Sequence, residues 1–364
     1  MFRPAITRMS GYVPGEQPQG TKLVKLNTNE NPYPPSPAVI GAIKAAAEAG
    51  LQRYPDPSST AFRVAAASVL SDQCPEIDAS WILCGNGSDD ILTIATRAFV
   101  EPGHAVRYAT PSYSLYKTLS EIQGVGQDVV VYEADWSLGY AFTAPCDDSA
   151  AGPVRLAYLA NPNSPSGICL PPGEVAALAD ALDCPLLVDE AYVDFAETSC
   201  VELVRTNERV LVSRSLSKSY GLAGLRFGYV VAQPQVIEQL AKVKDSYNCD
   251  TLSIAGATAA VTDTEWLREN VERVRDERAR LDAALQRRGL ITTPSDANFV
   301  WCTHPSGEHA ALYEQLRAGG VLVRYMAYDG WPGGYDGLRI TVGTPAQTDA
   351  LLATLDSVLP AVRA

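Results

Sequence analysis

The feature that most constrains this chain is a succession of short apolar runs separated by helical stretches. "WILCG", "HAVRYA", "DVVVYE", "VRLAYLA", "CPLLVD" and "RVLVSRS" each read as a strand. Between them lie helical stretches such as "DDILTIATRAFV", "SLYKTLSEI" and "PGEVAALADAL". Apolar strands that alternate with helices imply a mainly parallel sheet covered on both faces, so the fold class is α/β. Helical periodicity starts earlier, at "AVIGAIKAAAEAG" and "TAFRVAAASVLSDQ". The first forty residues, rich in Pro, Gly and Asn, read as an extended arm with turns and not as a packed element. From about residue 251 the pattern changes. A long charged helix, "TEWLRENVERVRDERARLDAALQRRG", leads into "ANFVWCT", "VLVRYMA" and "LRITVGT", which suit a smaller α+β domain. The expected organisation is an arm (1–40), a large domain (41–250) and a small domain (251–364).

Charge narrows the partners. The net charge is −13 over 364 residues, which argues against nucleic acid and anionic membranes, since both need a cationic footprint. No apolar stretch follows the first charges as in a secretion leader, and no apolar run reaches membrane-spanning length, so a soluble cytoplasmic chain is expected. The eight cysteines are scattered without a C-x-x-C pair and read as reduced thiols. The three histidines, His104, His304 and His309, read as surface residues. The chemistry is therefore not expected to rest on histidine or a protein-bound metal.

In open α/β sheets, ligands bind beyond the carboxyl ends of the strands. "NGSDD" follows "WILCG" and opens a helix. Ser88 reads as its cap, with Gly85 and Gly87 letting the backbone approach an anion. Asp189 follows the apolar "CPLLV" and emerges where an unpaired carboxylate is costly, with Tyr192 facing the same crevice. "SRSLSKSYGLAGLRFGY" follows "RVLV". Its Lys218 is a partly desolvated amine suited to attack a carbonyl, Ser215 and Ser217 offer hydroxyls to an anion, and Arg226 suits a phosphate. Together these pieces describe one ligand with a phosphate, an aldehyde and a protonated ring nitrogen, namely pyridoxal phosphate.

"SLSKSYGLAGLRFGY", "LVDEAYVDF", "NPNSPSG", "GNGSDD", "TPSYSLY" and "LRITVGT", in their order in the sequence, resemble the fold-type-I aminotransferases. The nearest resemblance is to histidinol-phosphate aminotransferases, and it covers almost the whole chain, from "YVPG", "LNTNENPYPPSP" and "RYPDP" to "SDANFV". It implies a seven-stranded-type sheet in the large domain and a homodimer with shared sites. It also implies transamination of L-histidinol phosphate with 2-oxoglutarate and glutamate. Aromatic aminotransferases and threonine-phosphate decarboxylases share many of these motifs and stand as alternatives. A non-catalytic cofactor-binding regulator would need a DNA-binding module, for which this acidic chain has no spare length.

By the same resemblance Lys218 joins the cofactor's aldehyde and shuttles the proton. Asp189 pairs with the ring nitrogen, Tyr192 with the ring hydroxyl, and Tyr113 stacks on the ring. Gly87, Ser88 and Asp89 supply backbone to the phosphate, and Ser215, Ser217 and Arg226 complete its cradle. Tyr54 reaches the neighbouring subunit's cofactor phosphate, Arg339 and Arg324 hold the substrate's anionic groups, and Tyr12 closes over it. Where the family reads "NNPTG", this chain has "NSPSG". Asn163 is expected to take the ring-hydroxyl bond, the alternative being the Tyr192 phenol with Ser164.

Overall fold

All six apolar runs become strands of one seven-stranded sheet. The computed structural model describes residues 1–12, 14–18, 23–145, 151–328 and 336–362. Its strands in chain order are β1 (Val24–Lys25), β2 (Ile82–Gly85), β3 (Ala105–Thr110), β4 (Gly126–Val131), β5 (Val154–Ala160), β6 (Leu186–Asp189) and β7 (Val210–Ser215). They continue with β8 (Gly228–Val231), β9 (Ile291–Thr292), β10 (Phe299–Thr303), β11 (Val321–Leu322), β12 (Arg324–Ala327) and β13 (Asp336–Thr341). The large sheet runs β2-β8-β7-β6-β5-β3-β4. All its neighbours are parallel except β8, which is antiparallel to both β2 and β7.

The inner strands are apolar because both faces are covered. Every residue of β6 and β8 is buried, and separate apolar clusters line the two sides of the sheet. Each fully buried Leu or Val contributes about 1.5–3 kcal/mol, so this sheet supplies a large share of the folding free energy. The helix Thr251–Thr262 packs on the helices Pro37–Glu48 and Thr60–Leu70, against the same core.

A second sheet, β12-β13-β10-β9, is antiparallel and has its own apolar cluster beneath the helices Thr264–Arg287 and Pro345–Val362. The run "VLVRYMA", expected as one strand, is two. Val321–Leu322 pairs in parallel with β1 of the arm, whereas Arg324–Ala327 pairs with β13.

The arm departs from expectation. It forms a short helix, Pro4–Arg8, and β1, and then buries Asn27 and Asn29. Polar residues pack here through hydrogen bonds instead of apolar area, and apolar periodicity carries no trace of that. His304 and His309, expected on the surface, are also buried. The His304 N–H donates to His309 Nε2 (2.7 Å), and His309 Nδ1 lies 2.8 Å from Asp336 Oδ1. The seven described cysteines are free thiols, six of them buried; Cys146 lies outside the described residues.

Candidate active site

Five strands deliver one residue or more to the same end of the large sheet. Ser88 and Asp89 follow β2, Tyr113 follows β3, Ser164 follows β5, Asp189 ends β6, and Ser215, Ser217 and Lys218 end or follow β7. Because β8 runs the opposite way, Arg226, just before its start, arrives at this end as well. These residues line a cavity of about 340 Å³, together with Tyr12, Tyr192, Arg324 and Arg339.

Asp189 is 5% exposed, and loss of solvent pushes its carboxyl up to about 6. Three neutral donors oppose the shift: Tyr116 O–H at 3.0 Å, Ser213 O–H at 3.3 Å and the Ala191 N–H at 3.3 Å. Among the described residues no cation pairs with it. A buried carboxylate served only by neutral donors lacks a positive charge, and a protonated ring nitrogen in the cavity would supply one.

Lys218 makes no ion pair among the described residues, and its Nζ lies 5.5 Å from the centre of the Tyr192 ring. Glu30, which feels the Lys218 charge, is itself ion-paired with Lys25. The amine is thus left free in the cavity. Its backbone is fixed from the arm, where Asn31 Nδ2 donates to the carbonyls of Lys218 and Ser219, both at 2.9 Å.

An anion-binding corner lies opposite. The helix Ser88–Phe99 is capped by Gly87, with no side-chain cap, so Ser88 is its first residue and not the expected cap. The N–H groups at its start lie outside the helical ladder and form the positive end of the helix dipole. Gly87 has φ +85°, and a Cβ there would sit 2.6 Å from an Arg226 guanidinium nitrogen. A Cβ on Gly228 would sit 2.5 Å from the Ser88 nitrogen. Both glycines are needed for the helix start, β8 and Arg226 to converge. Arg226 donates to Asp89 (3.0 Å) and Ser217 (3.4 Å), while Ser215 Oγ accepts the Ser217 N–H (3.2 Å).

The small sheet closes the other side. Arg339 and Arg324 are directly paired across β13 and β12. Arg339 donates to Ser164 Oγ (2.8 Å) and the Asn27 carbonyl (3.0 Å), and its buried Nε has no partner among the described residues. An unsatisfied buried guanidinium N–H beside a cavity calls for an acceptor, and an anionic ligand provides it. Tyr113, whose hydroxyl donates to Asp89 (2.9 Å), meets Tyr12 of the arm edge to face at 6.1 Å.

A lysine, a buried carboxylate and an anion corner thus surround one volume. The family model for aminotransferase class I and II matches residues 21–355. The chain belongs to this family. It is 49% identical to a histidinol-phosphate aminotransferase of Rhodopirellula baltica over 98% of this chain and 96% of that protein. With "histidinol-phosphate aminotransferase 1" of a Nostoc species it shares 44% identity, over 98% of both. Among solved structures, the histidinol-phosphate aminotransferase of Sinorhizobium meliloti, in complex with pyridoxal-5'-phosphate, superposes with a TM-score of 0.87. The identity is 27%, over 99% of this chain and 98% of that one.

Three residues expected at this aminotransferase site are not among those lining the cavity: Gly87, which sits behind Ser88 as the helix cap, Asn163 and Tyr54. Asn163 does not line it, because its amide is used by the segment after β3 and by its own turn. Its oxygen accepts from Ser112 (2.8 Å), and its nitrogen donates to the Pro111 carbonyl (3.2 Å) and Ser166 (3.1 Å). Ser164, the next residue, faces the cavity instead. Tyr54 is 80% exposed and stacks on Tyr247 at 4.5 Å, away from its own chain's cavity. Sequence reasoning missed Tyr116 as a partner of Asp189, and the roles of Asn27, Asn29 and Asn31. Tyr116 lies in the first turn of the helix Leu115–Gln123, whereas Tyr113 precedes that helix, so no helical spacing in the sequence linked the two.

Proposed function

We propose that this aminotransferase holds pyridoxal phosphate and transfers the amino group of L-histidinol phosphate to 2-oxoglutarate, working in the cytoplasm as a homodimer. The observation that carries the reading is the full-length likeness to a histidinol-phosphate aminotransferase at 49% identity. The paired cavity arginines, Arg324 and Arg339, suit a substrate bearing a phosphate. The organisation into an arm (1–40), a large domain (41–250) and a small domain (251–364) belongs to the same proposal.

In this reading Asp189 holds the ring nitrogen positive, Tyr192 donates to the ring oxygen, and Tyr113 covers one ring face. Asn163 is already committed, so the ring oxygen falls to Tyr192 with Ser164 nearby. The backbone at Gly87, Ser88 and Asp89 holds the phosphate with Ser215, Ser217 and Arg226. Tyr54, exposed on its own chain, offers a hydroxyl to the neighbouring subunit's phosphate. Bound there, the cofactor supplies a carbonyl for the incoming amine and an electron sink for the pair left when the Cα proton departs. Lys218 takes that proton and returns it one position away, a general base whose lack of an ion pair leaves it available. Arg339 and Arg324 orient the substrate's anionic end, and Tyr12 covers it.

Substrate choice is tested at Arg324. Histidinol phosphate brings a dianion to an acidic chain, so truncating one of two cations in contact with it costs roughly 2–5 kcal/mol. Arg324→Ala should therefore lower kcat/KM for histidinol phosphate at least about 30-fold, since about 1.4 kcal/mol is tenfold. It should leave phenylalanine and tyrosine nearly unchanged. A parent enzyme that turns over phenylalanine or tyrosine faster than histidinol phosphate would make it an aromatic aminotransferase. Product formation without a keto acceptor would make it a lyase.

A further inference from the structure

We infer that Asn29 fixes the direction of the Tyr192 hydroxyl proton, making that phenol an obligate donor into the cavity. The chain of donors begins at the backbone. The Asn29 N–H donates to Thr341 Oγ1 at 3.0 Å, so the threonine's own proton must go elsewhere. It goes to Asn29 Oδ1, at 3.1 Å. With its oxygen identified as the acceptor, the Asn29 side chain presents its NH2 at the other end, 2.9 Å from Tyr192 Oη. An amide nitrogen only donates, so Tyr192 accepts there and its own proton points away. Among the described residues nothing accepts that proton, and Tyr192 lines the cavity.

The residue is held firmly enough to impose this. Asn29 is 1% exposed, takes a left-handed backbone (φ +55°) and has its carbonyl bonded by Asn298 Nδ2 at 3.0 Å. Asparagine tolerates that conformation better than other side chains, which explains its presence in a strand-like arm. Lys218, Arg339 and Tyr12 also face Tyr192, but none of them is a carboxylate able to draw its proton aside. Asn29 is therefore a positioning residue. It borders the cavity too, but its amide is spent on Thr341 and Tyr192, so it acts by deciding what the phenol can do.

The consequence for a bound ligand rests on the proposed cofactor reading. A phenol forced to donate stabilises an anionic ring oxygen, whereas a phenol free to turn does so only part of the time. Asn29→Asp replaces the NH2 by an acceptor and turns the Tyr192 proton back toward the arm. The pH midpoint of the bound cofactor's absorbance should then move upward by about one pH unit, the equivalent of one tenfold change in proton affinity. Asn29→Gly keeps the left-handed backbone and removes both the donor to Tyr192 and the acceptor for Thr341 without adding an acceptor for the phenol, so it should give a smaller upward shift. In the Tyr192→Phe background neither change should add anything. If both variants keep the parent's melting temperature and leave the midpoint in place, the inference is wrong.

Neutron diffraction of the unmutated protein, free of cofactor and exchanged into D2O, tests the geometry without any variant. The expected result places the deuteron of Tyr192 in the cavity and two deuterons on the Asn29 atom facing Oη. A Tyr192 deuteron aimed at Asn29 overturns the inference, even if the cofactor reading stands. Failure of pyridoxal phosphate to bind the parent protein overturns the cofactor reading and leaves the neutron result to decide the donor order.

Discussion

Lys218→Ala should retain the fold and lose turnover by about 10⁴-fold or more, because in the proposed reading one side chain serves as nucleophile, base and acid. Little structural cost is expected. The amine makes no ion pair among the described residues, and the backbone at this position is held by Asn31 from the arm. Lys218→Arg is the informative companion. It keeps a cation in the cavity, but a guanidinium does not give up its proton near neutral pH and cannot act as the base. An equal loss in both variants separates proton transfer from charge, whereas substantial activity in the arginine variant would reduce Lys218 to an electrostatic role. Borohydride treatment of the loaded parent followed by peptide mapping should place the cofactor on the Lys218 peptide. A label on Lys25, Lys44 or Lys117 would overturn the assignment.

Asp189→Asn should pull activity and stability in opposite directions. A neutral amide cannot hold a ring nitrogen in its positive form, and removing one preorganised charge of this kind lowers kcat by roughly 10²–10³-fold. The cofactor-free protein should behave differently. Burial raises the Asp189 carboxyl to about 6 from an ordinary 3.8. That displacement corresponds to roughly 3 kcal/mol of destabilisation when the group is ionised. For an acid with a raised folded value, the penalty is complete above about pH 6 and fades as pH falls toward 4. The asparagine variant, free of cofactor, should therefore melt above the parent at pH 8, and the gap should close by pH 4. Identical melting curves at pH 8 would mean that the buried carboxylate is already compensated.

Why some of this was legible in the sequence and some was not has a physical basis. Strands buried on both faces must be apolar throughout, so the inner strands stood out, and the residues at the ends of β2, β6 and β7 marked the site. Asp189 and Lys218 were readable because a charge at the end of an apolar strand needs a reason. The strand β8 was overlooked because "GYVV" is short and follows a motif rich in glycine. Its reversed direction has no periodic signature at all. The breaking of "VLVRYMA" into two strands is set by partners from opposite ends of the chain, β1 and β13, which no local pattern encodes. Asn163 illustrates another limit. A motif fixes which residue occupies a turn, but which amide the turn itself consumes depends on Ser112, Pro111 and Ser166. The arm asparagines escaped because hydrogen-bonded burial leaves no apolar trace.

The reversed strand also bears on how such an enzyme can diversify. Lys218 and Arg226 share the single connection between β7 and β8, and the adjoining helix start is locked to it by glycines that leave no room for a methyl group. Insertions or drift in that connection would disturb the reactive amine and the phosphate anchor together. Arg324 and Arg339, proposed to hold the substrate, stand apart, on a separate sheet with its own apolar core. Selection can therefore remodel what the protein accepts by changing one layer while inheriting the chemical apparatus of the other intact.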